Sequence, residues 1–188
     1  MIYQNMFAAL VPAVAIGAAA ERGRVGPACL FMFVWATLVY CPVARTVWSP
    51  SGYAFQNGVL DYAGGGPVEI VSGVTGLVYS IYLGKRRGFG TERLAFKPHN
   101  VSHVFLGTVL LWVGWLGFNG GSTFAANLKA ALAIVNTNLA GSAAGLTWMF
   151  MDYRLERKWS AVGFCTGAIV GLVAITPAGS FSFPFSRR

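Results

Sequence analysis

Two carboxylates stand where a polar loop would not put them. Of the six acidic residues, Glu21, Glu92, Asp152 and Glu156 fall among basic residues in short polar stretches, as solvated charge. Asp61 and Glu69 instead belong to one apolar run. An ionisable group within a membrane-length segment is costly, so each is a functional candidate by default. Asp61 opens Leu60-Asp61-Tyr62-Ala63-Gly64-Gly65-Gly66. A carboxylate there can accept from the unsatisfied N–H groups of a helix start, or lower the potential met by an approaching cation. Glu69 lies roughly 12 Å further along a helix at the standard rise, too deep for an end cap. It is expected to face the bundle interior or a water-lined wall, as a neutral donor or a proton carrier.

Aromatic residues supply the next candidates. Trp48 closes an apolar run, where it can belong to the interfacial aromatic belt or offer its face to a small cation. Phe7 and Phe118 read as packing residues from spacing alone. Around Phe118 the run Trp115-Leu116-Gly117-Phe118-Asn119-Gly120-Gly121-Ser122 passes from apolar bulk to small and hydroxyl residues, which suits a gate below a polar vestibule. Other patterns are weaker. His99 and His103 are four apart without a third ligand and read as loop and cap residues. Cys29, Cys41 and Cys165 are odd in number, lie in apolar runs and lack metal-ligand spacing, so they read as small packing residues. Gly88-Phe89-Gly90 lacks the third glycine and the strand of a dinucleotide turn. No Ser/His/Asp or Cys/His set is placed for nucleophilic catalysis, and neither an enzyme nor a cofactor is expected.

The elements that must carry these residues follow from composition. The chain has 188 residues, 55% hydrophobic and only 11% charged, against about 25% charged in a soluble domain. Disorder requires the opposite balance. Apolar runs near twenty residues recur, which predicts a polytopic, all-α membrane protein. Six transmembrane helices are expected, over about Ile2 to Ala20, Val25 to Val47, Asp61 to Gly84, Val101 to Gly121, Ala125 to Met151 and Ala161 to Ala178. Small residues let membrane helices approach closely, and Gly141/Gly145 and Gly163/Gly167/Gly171 repeat at helical spacing.

Charge sets the orientation. Ten of the fourteen basic residues fall in the loops after spans one, three and five: Arg22 and Arg24; Lys85, Arg86, Arg87, Arg93 and Lys97; Arg154, Arg157 and Lys158. The positive-inside rule puts those loops in the cytoplasm and the N-terminus outside. The net charge of +8 is then mostly a topology signal, and no nucleic-acid partner is expected. The sequon Asn100-Val101-Ser102 falls on the cytoplasmic side and should stay unmodified.

Several motifs in order carry a resemblance: Tyr3-Gln4-Asn5-Met6-Phe7-Ala8, Gly17-Ala18-Ala19-Ala20-Glu21-Arg22, Leu60-Asp61-Tyr62-Ala63-Gly64-Gly65, Phe96-Lys97-Pro98-His99-Asn100, Gly114 to Ser122, and Ala174-Ile175-Thr176-Pro177-Ala178-Gly179. Together they resemble the ammonium transporter (Amt/Mep/Rh) family, and fungal methylammonium permeases most. The resemblance implies transmembrane transport of ammonium or methylammonium across a lipid bilayer, by a homotrimer in the plasma membrane. It implies an ammonium-binding site using Trp48 and Ser122 with Asp61 below it, and a gate of Phe7 and Phe118. An ammonium sensor and an inactive partial transporter stay open as alternatives.

Two departures matter. The family pore carries a pair of histidines, and Glu69 stands at the position of the first, as an acidic residue does in some fungal permeases. Glu69 is therefore expected to change proton handling and pH optimum rather than abolish transport. The family fold has about eleven spans in two inverted halves, and this chain resembles only spans three to eight, without the span bearing the second histidine. Residues 1–181 are expected to form a partial ammonium transporter domain, followed by a tail, 182–188, unlike the family.

Overall fold

The computed structural model describes residues 2–20, 22–86, 88–91 and 98–181. Glu21, Arg87, Glu92, Arg93, Lys97, Phe96 and the expected tail 182–188 lie outside the described residues. Helices occupy all six expected spans, and no strand occurs among the described residues. The chain divides into two compact units, Met1–Val59 with Gly66–Lys97 and Leu60–Gly65 with Pro98–Arg188.

In the first unit α1 (Ile2–Ile16) buries Phe7, Val11, Pro12 and Ala15 along one face, and a 3₁₀ turn continues it to Ala19. α2 (Val25–Trp35) runs into a π-helical turn, Ala36–Tyr40, and then α3 (Cys41–Trp48). Pro42 accounts for that turn. Its ring lacks an N–H and crowds the carbonyl four residues back, so the ladder widens and the Cys41 N–H reaches Ala36 instead. A short α4 (Tyr53–Gln56) follows.

The third span starts later than expected. Residues 61–64 form a turn, and helix begins with a π-helical turn at Gly65–Ile70 before α5 (Val71–Leu83). α5 packs against the end of the α1 stretch, with the Ser80 hydroxyl donating to the Ala18 carbonyl at 3.4 Å. The Arg22 guanidinium donates to the Gly84 carbonyl. The polar loops after spans one and three therefore meet within the first unit.

The second unit contains α6 (Val101–Gly121), α7 (Leu128–Glu156) and α8 (Ala161–Ile175). Each starts with a side-chain cap. Asn100 accepts from the His103 N–H at 3.1 Å, Asn127 from Ala130 at 2.9 Å and Ser160 from Gly163 at 2.8 Å. Asn127 thus sets the start of the fifth span three residues beyond Ala125. Arg157, left-handed at φ 57°, ends α7. α7 and α8 pack antiparallel through the glycine ladder, with Gly141, Gly145, Gly163, Gly167 and Gly171 all buried. A Cβ on Gly171 would fall onto the Ala140 carbonyl, so backbone meets backbone there.

Among the described residues, Ile2–Ala19, Val25–Gln56, Gly65–Leu83 and Val101–Gly121 are long and apolar enough to cross a membrane. Lys129, Asn136, Asn138 and the charged end from Asp152 dilute α7. α8, at 15 residues, is continued by turns to Ser180. Leu30, Phe33, Val74, Ile81 and Leu110 are more than half exposed. The chain is a multi-pass membrane protein, and such residues need lipid or further protein around them.

Candidate functional site

In the first unit an aromatic cluster forms where the first span starts and the second ends. Phe7 lies on the buried face of α1 and is only 4% exposed. Its ring sits between two others, Tyr3 one turn earlier at 5.0 Å and Trp48 at 5.7 Å, the latter edge-on at 78°. Trp48 is the last residue of α3, and extended Ser49 follows it. The helix therefore stops with the indole half-buried beside Phe7. Edge-to-face rings in this distance range attract through their quadrupoles, and an indole face can also receive a cation.

In the second unit Ser122 and Phe118 occupy the same end of α6. The Ser122 hydroxyl donates to the Phe118 carbonyl at 2.7 Å, so toward any further N–H group it acts as an acceptor. Trp115 packs one turn below, its ring 5.6 Å from that of Phe118.

Asp61 organises the turn before helix. Its Oδ1 accepts from the N–H groups of Gly64 and Gly65, both at 2.8 Å. The turn is strapped to the end of α8. Tyr62 N–H donates to the Pro177 carbonyl at 2.9 Å and Ala63 N–H to the Thr176 carbonyl at 3.3 Å. The strap leaves no room at Gly65, where a Cβ would lie 2.6 Å from the Pro177 ring. The Tyr62 hydroxyl donates to the Asn119 carbonyl at 2.7 Å, tying the turn to α6 as well.

Beneath this turn lies a buried polar layer. Asn119 Nδ2 donates to Thr137 Oγ1 and Trp115 Nε1 to Thr176 Oγ1, both at 2.8 Å. Thr137 and Thr176 in turn donate to carbonyls four residues back. Among the described residues Asn119 Oδ1 is buried without a partner.

Glu69 sits half-buried in the π-helical turn Gly65–Ile70, next to buried Pro67 and Val68. Such π-helical turns are frequent at functional sites. Among the described residues no three of His, Cys, Asp and Glu cluster for a metal.

The structure thus brings Phe7 to Trp48 and joins Ser122 to Phe118. It gives Asp61 the anchoring role that its place before a helix suggests. Sequence reasoning did not single out Tyr3, Tyr62, Asn119, Thr137 or Thr176. Asn119 and Thr176 had a visible signal, since each is a polar residue in an apolar run. Tyr62 had none.

The model of the Ammonium Transporter Family matches residues 1–186. Ammonium transporter 2 of Schizosaccharomyces pombe is 56% identical over 183 residues, 97% of this chain and 35% of that protein. The crystal structure of Saccharomyces cerevisiae Mep2 superposes with a TM-score of 0.90 at 51% identity, over 96% of this chain and 41% of that one. A sensor Amt protein superposes with a TM-score of 0.89 at 29% identity, over 98% of this chain and 48% of that one. The chain therefore spans less than half the length of each relative. A family match over nearly its whole length, on a fold shared at half identity, leaves one assignment: this chain belongs to the Ammonium Transporter Family.

Proposed function

We propose that this chain is the part of an ammonium transporter that recruits the cation and admits it to the pore, in the plasma membrane and within a homotrimer. The observation that carries this reading is 56% identity to a fungal protein named as an ammonium transporter, over 97% of the chain. Trp48 supplies a cation–π face, and Ser122 supplies a hydroxyl acceptor for an ammonium N–H. Phe7 and Phe118 act as gate rings. The Asp61 carboxylate holds its turn and lowers the local potential for a cation. Beyond the gate a bare cation in an apolar passage is heavily penalised, so the ion gives up its proton and crosses as NH3. Glu69, at the position of a family pore histidine, takes part in handling that proton. Conduction needs the remaining spans of the fold, because pore-lining polar groups of an isolated piece would face lipid.

The test is a chimera in which this segment replaces the matching segment of the S. pombe relative, expressed in yeast lacking its own ammonium uptake. Restored growth on low ammonium is the expected result. A chimera that reaches the membrane and does not restore growth refutes the proposal. The match to a sensor Amt protein favours a second reading, in which the same groups sense ammonium. A chimera that binds ammonium without moving it would establish that alternative.

A further inference from the structure

Arg45 is the basic residue of the first unit that the topology leaves unexplained. Span two starts at the basic stretch Arg22-Gly23-Arg24 and runs through α2 and its π-helical turn to the end of α3 at Trp48. Arg45 therefore carries its charge at the end away from that loop, against the rule that sorts most of the basic residues. It lies in the last turn of α3, three residues before Trp48. Residues three apart are neighbours on a helix surface, with about 5–6 Å between Cβ atoms. The Arg45 side chain is exposed, and no ion pair to it occurs among the described residues.

A helix C-terminus carries partial negative charge, and a cation in its last turn offsets that charge. α3 ends at Trp48, so without Arg45 its negative end would add to the pull of the indole on a cation. With Arg45 the pull is opposed. Two unit charges about 10 Å apart in water repel enough to weaken binding about twofold. Such weakening suits a conducting site, where an ion must bind well enough to enter and loosely enough to leave. We infer that Arg45 lowers the affinity of the Trp48 site for its cation and so sets the ammonium concentration at which uptake saturates. This rests on the cation-recruiting role proposed for Trp48.

The test is methylammonium uptake by the chimera at low ionic strength, with KM and maximal rate measured for the parent, Arg45→Gln, Arg45→Lys and Arg24→Gln. Arg45→Gln should lower KM about twofold without raising the maximal rate. Arg45→Lys keeps the charge and should keep the parental KM. Arg24 is exposed at the other end of the same span, about 30 Å away at the standard rise, so Arg24→Gln should leave KM unchanged. Raising the ionic strength from about 10 mM to about 1 M shortens the Debye length from about 30 Å to about 3 Å, and the parental and Arg45→Gln values should converge. An unchanged KM in Arg45→Gln, or an equal fall in Arg45→Lys, overturns the inference, while saturable uptake by the parent leaves cation recruitment standing. A parent that reaches the membrane without saturable uptake overturns both.

Discussion

The Phe7 ring meets the Trp48 indole edge-on, 5.7 Å between centroids and 78° between planes. One residue comes from the start of the first span and the other from the end of the second, so the contact fixes both at the same end of the first unit. Phe7→Ala should cost about 3 kcal/mol from the cavity it leaves, with up to about 1 kcal/mol of that from the aromatic pair. Phe7→Leu should cost less than half as much. Thermal unfolding of the chain in detergent, followed by helical circular dichroism, measures both.

Asp61 offers a test of anchor against charge. Asp61→Asn keeps an oxygen for the Gly64 and Gly65 N–H groups, whereas Asp61→Ala leaves both without a partner. Alanine should destabilise the fold by about 1–2 kcal/mol, and asparagine by less. If the charge also serves the cation, ammonium uptake by the chimera falls in both variants, including the stable one.

The Asn119–Thr137 hydrogen bond is buried on both sides. Thr137→Val should cost on the order of 1 kcal/mol, in the range of polar pairs between membrane helices. In a double-mutant cycle with Asn119→Leu, the second substitution should cost less after the first. Strict additivity in the same melting assay would show that the two side chains do not act together.

Gly171→Leu tests the close approach of α7 and α8. The added side chain would collide with the Ala140 carbonyl and the Ala144 methyl, and overpacking of this kind costs about 3 kcal/mol. Gly121, with open space around its Cα, is the control: Gly121→Ala should leave the melting temperature almost unchanged.

Glu69→His places the family's histidine in this chain. The pH profile of uptake by the chimera should shift while transport persists. An unchanged profile would remove Glu69 from the proton-handling step.

The helices were largely legible in the sequence because apolar runs, basic loops and glycine spacing all point the same way. Span ends were less so. The sequence pattern places Asp61 at the opening of its helix, yet its carboxylate folds the chain into a turn, and helix starts four residues later. The π-helical turn at Ala36–Tyr40 depends on where Pro42 meets the preceding carbonyls, which an apolar pattern does not report. The site was legible one residue at a time. Trp48 has a cation–π reading and the run Trp115 to Ser122 a gate reading from the residues alone, whereas Phe7, Phe118 and Ser122 take individual roles only through resemblance, because spacing alone reads such aromatics as belt or packing residues. The Tyr62 strap to Asn119 joins residues 57 apart, a distance over which local patterns carry no information.

The initial rate of radiolabelled methylammonium uptake by the chimera, compared with its Trp48→Leu/Ser122→Ala form, tests cation recruitment most directly. Saturable uptake in the parent, reduced at least tenfold at low substrate in the variant while membrane levels stay equal, is the predicted result. Absence of uptake in a correctly inserted parent, or an unchanged rate in the variant, would contradict it.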